Sequence, residues 1–269
     1  DNTGATLTLN AATGSFQFAG GTIKNGTVTS ADGAALLLPA SASGTLEAVT
    51  LATDVRLENN SDLMVRQGLT LQGGAKLTLA SAGSSTWLRF MGTQSLGGAG
   101  EVIFAGSSAN NVVYAQGTGS QAGAATLTIG SGIAIHGAQG GSVTQYYAQD
   151  AIINQGTISA DTAGRTINLQ EVANQGTITA SNAGNLSISD MPDVQGLSIS
   201  GGGTLSLNGT WANSGTLSVN NSTLNLAGNF TTAGLGAFNR SGGTINLTGV
   251  LDNTGATLTL NAATGSFQF

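Results

Sequence analysis

The chain has 269 residues, of which 42 are glycine, 2 are proline and none is cysteine, and its net charge is −6 at pH 7. An acidic chain with no basic patch is a poor partner for nucleic acid, and a chain without cysteine has neither thiol catalysis nor thiolate metal sites. Apolar residues make up 40% of the chain, but the longest apolar run, residues 34–38, is too short to span a bilayer. We therefore predict no nucleic-acid partner and no membrane insertion within this segment.

Short segments in which apolar and polar residues alternate predict β-strands along the whole chain. Turns rich in glycine and asparagine separate them, and no amphipathic helix of useful length lies between them. The clearest of these predicted strands are residues 6–9, 69–71, 76–79, 126–129, 186–188, 204–207, 223–226 and 244–247.

The first eighteen residues, DNTGATLTLNAATGSFQF, return without a change at residues 252–269. A perfect match of this length indicates a tandem array. We interpret residues 1–251 as one repeat unit and residues 252–269 as the start of the next, so that the chain is part of a longer protein. Its expected neighbours are identical repeats, joined end to end.

A shorter period lies inside this unit. The motif Asn-Gln-Gly-Thr-Ile begins at Asn154 and again at Asn174, and related motifs begin at Asn213 and Asn253. The spacings fit a period near 20, with degenerate members near residues 194 and 234. Two or three short strands per period predict an all-β fold, a right-handed parallel β-helix (β-solenoid) with coils of about 20 residues. We expect one continuous solenoid over residues 1–269, and about 60 Å of rod per unit at roughly 4.8 Å per coil.

The four asparagines that begin these motifs are predicted to stack at one corner of successive coils. Asparagine tolerates the backbone of a sharp turn, and stacked amides hydrogen-bond along the axis of parallel strands. We therefore interpret Asn154, Asn174, Asn213 and Asn253 as a structural ladder rather than as binding residues.

The sequence contains no recognisable catalytic constellation, and we predict no enzyme activity, no cofactor and no metal. His136 is the only histidine, at the end of a predicted strand, where a turn or surface role is the ordinary one. Asp150, Glu171 and Asp190 follow one another at spacings close to the short period, so they could form a column on successive coils. Such a column is either three solvated turn carboxylates or a calcium site that offsets the like charges.

Residues 84–150 depart from the regular pattern, and we interpret them as coils of irregular length with larger loops. They contain Trp87 and all three tyrosines of the chain, Tyr114, Tyr146 and Tyr147. The flat faces of these side chains could stack on sugar rings. The alternative is that they pack a loop or cap an irregular coil.

Residues 240–260, together with residues 154–161 and 20–29, resemble the long β-strand-repeat proteins of bacterial surfaces. These are similar in style to filamentous-haemagglutinin and autotransporter adhesin passenger domains. The resemblance covers most of the chain, although its motifs are loose. It implies secretion, a right-handed parallel β-helix, and a role in adhesion, aggregation or a surface coat, with no catalytic residues.

The expected function is therefore a non-catalytic structural or adhesive segment of a long extracellular fibre on a bacterial surface, in contact with other cells or glycans. The alternative is a carbohydrate-binding or polysaccharide-degrading β-helix protein.

Overall fold

The computed structural model describes residues 1–261 and 264–268 and is a parallel β-solenoid of about 12 turns. The predicted all-β solenoid is therefore confirmed, with coils that average about 21 residues. All described strand pairs are parallel. Each strand pairs with the strand that occupies the same sheet one coil later.

The strands are short, except for three long ones that pass through corners of the coil. In the first half of the chain they are β1 (Thr6–Leu9), β2 (Phe16–Gln17), β3 (Thr22–Lys24), β4 (Thr27–Ser30), β5 (Leu36–Leu38), β6 (Ser43–Ala52), β7 (Val55–Leu57), β8 (Asp62–Ser81), β9 (Thr86–Met91), β10 (Gln94–Gly106), β11 (Asn111–Gln116), β12 (Thr126–Ile129), β13 (Ile133–His136) and β14 (Gly141–Gln145). In the second half they are β15 (Ala151–Asn154), β16 (Thr157–Ala160), β17 (Thr166–Gln170), β18 (Val172–Asn174), β19 (Thr177–Ala180), β20 (Asn185–Ser189), β21 (Ser198–Ser200), β22 (Thr204–Asn208), β23 (Thr216–Asn220), β24 (Thr223–Leu226), β25 (Asn229–Thr231), β26 (Ala237–Ser241), β27 (Thr244–Leu247), β28 (Val250–Asp252) and β29 (Phe267–Gln268). Two 3-10 turns, Gln121–Gly123 and Ala233–Leu235, complete the described elements.

The strands build three parallel sheets around the axis, which the chain visits in the same order in every coil. Sheet I contains β1, β4, the end of β6, the middle of β8, the start of β10, β12, β15 and β18, with β25 and β28 further along. Sheet II contains β2, β5, β7, the ends of β8 and β10, β13, β16, β19, β21, β23 and β26. Sheet III contains β3, the starts of β6 and β8, β9, β11, β14, β17, β20, β22, β24, β27 and β29.

The core is a set of aliphatic columns that run along the axis. In sheet III, residues that face each other in register and are 0–1% exposed form one such column: Leu63, Leu88, Val113, Val143, Leu169, Ile188, Leu207 and Leu226. Burying each of these side chains contributes about 1.5–3 kcal/mol. Strand alternation turns every second side chain inward, which explains why the two-residue sequence pattern predicts the fold.

Coil length varies along the chain. In sheet I, Thr6 pairs with Thr27 across a coil of ordinary length, whereas Gln94 pairs with Leu127 across a coil that is much longer. The longer coils fall in the irregular zone of the sequence, and their additional residues form turns outside the sheets. These turns carry part of the site described below.

The two copies of the eighteen-residue segment lie in different sheets. In the first copy, Phe16–Gln17 pairs with β5 in sheet II, whereas Phe267–Gln268 of the second copy pairs with β27 in sheet III. The first copy also forms β1 in sheet I, but the equivalent residues 257–260 form no strand. The same sequence is therefore displaced by one sheet around the axis between its two occurrences.

None of the helices in the described part of the chain has the length and hydropathy to cross a bilayer.

Candidate functional site

The four aromatic residues singled out from the sequence lie together on the outer surface of sheet III. Trp87 and Arg89 point outward from β9, because the inward positions of that strand are taken by buried apolar residues. Tyr114 on β11 lies directly opposite Arg89 in register. Tyr146 and Tyr147 follow the end of β14, one coil further. We call Trp87, Arg89, Tyr114, Tyr146 and Tyr147 the aromatic patch.

The rings and the guanidinium of the aromatic patch are in mutual contact. The guanidinium carbon of Arg89 lies 4.6 Å from the ring centre of Trp87 and 5.7 Å from that of Tyr146. The Tyr146 ring meets the Tyr114 ring edge-to-face at 5.4 Å and the Tyr147 ring edge-to-face at 4.8 Å. Both arrangements are favourable for aromatic and cation–π pairs. The patch is therefore a preformed cluster and not a set of independent surface rings.

One carboxylate anchors the arginine of the aromatic patch. Asp62 Oδ1 lies 3.0 Å from Arg89 Nε, and Asp62 faces Trp87 in register. Burial raises the pKa of the Asp62 carboxyl, and the Arg89 guanidinium opposes that rise. Burial also raises the pKa of the Tyr114 hydroxyl, with Arg89 acting against the rise and Tyr146 adding to it. Both groups are thus partly removed from water, as expected of a packed cluster with one accessible side.

The accessible side of the patch belongs to Tyr146, which is 45% exposed. The Arg89 guanidinium lies over one face of the Trp87 ring, so that face is not available for stacking on a ligand. A shallow groove of about 250 Å³ lies beside the patch and is lined by Arg66, Met91, Gly92, Gln116, Gly117, Thr118 and Gly123. In this groove the Gln116 Oε1 atom is buried and accepts no hydrogen bond from the described residues. Aromatic faces next to a cation and an amide suit a neutral polyhydroxylated ligand.

Sequence reasoning missed Arg89 as a member of this cluster. The alternation along β9 places Trp87 and Arg89 on one side of the strand, and that signal was available. The contacts with Tyr114 and Tyr146 were not available, because they depend on the unequal lengths of the coils in the irregular zone, which the sequence there does not display.

The predicted asparagine ladder is present in part. Asn154 and Asn174 are in register, and Asn154 Nδ2 donates to Asn174 Oδ1 at 2.8 Å. The next coil carries Val194 at this corner, whose N–H donates to Ala212 O. The ladder is thus interrupted before it reaches Asn213.

The other two predicted members of the ladder have separate partners. Asn213 is buried, and its Nδ2 donates to Leu235 O at 3.0 Å and Ala237 O at 3.2 Å. Asn253 is exposed, and its Oδ1 accepts from the Thr232 hydroxyl. All four side chains hold turns in place, but only two contact each other.

A second amide pair, on sheet III, was not foreseen. Asn246 Nδ2 donates to Asn225 Oδ1 at 2.8 Å, and Asn225 Nδ2 donates in turn to Ser206 Oγ at 3.0 Å. The recurrence of Thr-Leu-Asn-Leu as Thr-Ile-Asn-Leu on the next coil was the signal that could have identified it.

The structure separates the three carboxylates of the predicted acidic column. Asp150 is 2% exposed and accepts backbone N–H groups from Gly117, Ala125 and Tyr147 at 2.8–3.1 Å. Glu171 and Asp190 instead line an open groove of about 480 Å³, whose other lining residues are mostly apolar. Within the described residues, no group of three or more histidine and carboxylate side chains converges as a metal site would require.

His136 lies in a column of charged groups on the outer surface of sheet II. Its Nε2 is 3.4 Å from Glu101 Oε2, and its Nδ1 is 3.6 Å from Asp161 Oδ2. Lys76 Nζ lies 3.5 Å from the same Glu101 oxygen. These side chains are partly exposed, so the column is a series of polar surface contacts along the axis, in which Lys76 and Glu101 form an ion pair.

Comparison of the chain with family models, curated proteins and solved structures found no match.

Proposed function

We propose that the chain is a non-catalytic structural or adhesive segment of a long extracellular fibre on a bacterial surface. The observation that carries this proposal is the exact return of the eighteen-residue segment at the end of a solenoid of about 12 turns. Asp252, the first residue of the second copy, pairs with β25 as the end of β28, and Phe267–Gln268 of the same copy pairs with β27. A solenoid made of repeated units grows by length, and length is the property that a fibre or stalk uses.

Images of the native protein test this proposal. In negative stain we expect thin unbranched rods many units long, because each unit adds about 60 Å of stacked coils. Compact particles with the dimensions of one unit would overturn it. Antibodies against residues 84–150 should label intact cells that carry the protein, and labelling that requires permeabilised cells would rule out the extracellular location.

A second candidate function is carbohydrate binding at the aromatic patch. The specific observation in its favour is the gathering of Trp87, Tyr114, Tyr146 and Tyr147 around Arg89 on one exposed surface. Aromatic faces stack on the apolar faces of sugar rings, and arginine donates to hydroxyl oxygens in a fixed geometry.

A glycan array followed by titration tests this second function. We expect Trp87→Ala and Tyr146→Ala to weaken binding of a hit by at least about tenfold, which corresponds to about 1.4 kcal/mol. Leu37→Ala is the matched control, because Leu37 is a large apolar side chain, 37% exposed, on sheet II away from the patch. Equal loss in all three variants, or no hit at all, would reject carbohydrate binding.

A further inference from the structure

The groove beside the aromatic patch is continuous with the patch. Met91 and Gln116, which line the groove, face each other in register on β9 and β11. Tyr146 N–H donates at 2.8 Å to the carbonyl of the residue before Gln116, so the exposed tyrosine lies on the next coil beside the groove. The Tyr147 ring packs on the turn that closes the groove, where a Cβ added at Gly119 would lie 3.3 Å from it. The patch and the groove therefore form one binding surface on sheet III.

Arg66 is an exposed cation in this groove. Glu47 faces Arg66 in register one coil earlier, but its Oε1 atom already lies 2.7 Å from Lys24 Nζ and accepts from Gln67 Nε2 at 3.0 Å. Among the described residues, none forms an ion pair or a hydrogen bond with the Arg66 side chain. Its guanidinium is therefore available to a ligand.

The carboxylates beside the patch and under the groove are already engaged. Asp62 lies 3.0 Å from Arg89 Nε, so the arginine of the patch adds little net charge to the surface. Asp150 is buried under the groove and accepts three backbone N–H groups, among them that of Gly117. Arg66 is thus the charge on this surface that no described carboxylate offsets.

The groove is too small for a whole sugar chain. Its volume of about 250 Å³ lies below the roughly 300–1,000 Å³ of ordinary small-molecule sites. It is bounded by a tight turn, in which a Cβ at Gly117 would lie 2.5 Å from Asp150 Oδ1. A guanidinium binds a carboxylate or a sulfate through two parallel N–H groups. The groove therefore fits one charged substituent of a ligand whose larger part lies on the patch.

We propose that Arg66 and the groove form an anionic subsite of the aromatic patch, and that the ligand is an acidic glycan. A sugar ring stacks on Tyr146, and the carboxylate or sulfate of the glycan pairs with Arg66. This inference rests on carbohydrate binding at the patch, the second candidate function, and names the class of glycan. The net charge of the chain is −6, which disfavours anionic ligands in general, so the selectivity depends on this one side chain.

A pair of ligands that differ only in charge tests the subsite. An acidic oligosaccharide and its carboxyl-reduced form are titrated against the full chain, and a sulfated oligosaccharide and its desulfated form provide a second pair. In at least one pair we expect the native chain to bind the charged member about fivefold more tightly, as for one well-aligned, partly exposed ion pair. The preference should shrink when the ionic strength rises from about 0.01 M to about 1 M, because the Debye length then falls from about 30 Å to about 3 Å.

Substitutions of Arg66 assign the preference to the groove. Arg66→Gln should bind both members of the pair equally, with unchanged affinity for the neutral one, and Arg66→Glu should prefer the neutral one. Arg165→Gln is the matched control, because Arg165 is also exposed but lies in the turn before β17, outside the patch and the groove. It changes the net charge by the same amount and should keep the preference of the native chain.

Three results would overturn the subsite: no preference in the native chain for either charged member, a preference that persists in Arg66→Gln, or equal loss in Arg66→Gln and Arg165→Gln. Circular dichroism of each variant shows whether the solenoid is intact. If the native chain binds the neutral sugars without any charge preference, the subsite fails while carbohydrate binding at the patch stands. If it binds no glycan of either kind, both fail.

Discussion

Asp150 shows how one carboxylate can stabilise an irregular coil. It is almost fully buried and accepts backbone N–H groups from Gly117 and Ala125, at the two ends of the segment between β11 and β12, and from Tyr147 in its own turn. Buried donors of a loop need partners, and the segment of residues 117–125 contains no strand that would supply them. The sequence spacing suggested an outward column with Glu171 and Asp190, but the hydrogen-bond demand of the loop places Asp150 inside.

We expect Asp150→Ala to lower the free energy of unfolding by about 2–4 kcal/mol, because it leaves three buried or partly buried N–H groups without an acceptor. Guanidinium unfolding followed by circular dichroism measures this loss. Glu58→Ala is the control, because its ion pair with Arg56 is exposed and is worth about 0–1 kcal/mol. Equal destabilisation by the two variants would contradict the structural role of Asp150.

We expect Asp193 to make the stability of the fold depend on pH. Burial acts to raise the pKa of its carboxyl, but hydrogen bonds from the Ser214 hydroxyl and N–H and from the Gln195 N–H outweigh this and lower the pKa. Because the pKa is lower in the folded chain, the ionised carboxylate stabilises the fold. That stabilisation is present above the unfolded pKa of about 3.9 and is lost as the pH falls through the lower folded value.

Asp193→Asn should therefore unfold at a lower guanidinium concentration than the native chain at pH 7. The difference should shrink as the pH is lowered below about 4. The stability of Ser214→Ala should also depend less on pH than that of the native chain, because this variant lacks the hydroxyl donor to Asp193. A difference that stays constant from pH 7 to acid would show that Asp193 does not act through its charge.

At the scale of the elements, the recurring Asn-x-Gly turns have one sequence pattern but different burial. Asn154 and Asn213 are buried, whereas Asn253 is exposed. In the buried cases the side chain bonds to backbone carbonyls of its own turn or of the next coil. The same residue type at the same motif position therefore contributes unequally to stability.

We expect Asn154→Ala and Asn213→Ala to lower the free energy of unfolding by about 1–3 kcal/mol each, the cost of leaving buried carbonyls without donors. Asn253→Ala should stay within about 0.5 kcal/mol of the native chain, as exposed substitutions usually do. Thermal and chemical unfolding of the three variants side by side gives the comparison. A large effect of Asn253→Ala would mean that this turn is packed in a way that its exposure does not indicate.

At the scale of the whole molecule, the fold could be predicted from the sequence because the solenoid is periodic. Motifs of alternating polar and apolar residues, such as residues 157–160 and 177–180, indicate both the strand direction and the inward face. Their spacing near 20 indicates the length of a coil. The individual coil lengths could not be predicted where loops interrupt the period. A loop of any length can leave and re-enter a sheet, so the sequence does not show which strands become neighbours across it.

The candidate site could also be predicted only in part. Trp87, Tyr114, Tyr146 and Tyr147 could be chosen from the sequence because they are flat aromatic side chains within the irregular zone. Their convergence on an arginine, and the anchoring of that arginine by a carboxylate, follow from the register of β8, β9 and β11. That register depends on long-range pairing, for which the local sequence carries no period.

The displacement of the repeated segment by one sheet decides the direction in which each unit of an array presents its aromatic patch. If each unit is turned by one third about the axis, neighbouring patches point to three different sides of the rod. Two patches then look the same way only when they are three units apart, roughly 180 Å at about 4.8 Å per coil. A flat surface would contact the patch of one unit in three, whereas a meshwork around the rod would contact the patch of every unit. The meshwork would therefore bind with the higher avidity.

A single label tests this arrangement. The chain has no cysteine, so Ser120→Cys in the exposed turn near Tyr147 takes one maleimide-gold label in each unit of a four-unit array. In electron micrographs we expect the labels to wind around the rod, with the first and fourth on the same side. Labels that all lie along one edge would mean that the second copy of the segment returns to the sheet of the first once a further unit covers it.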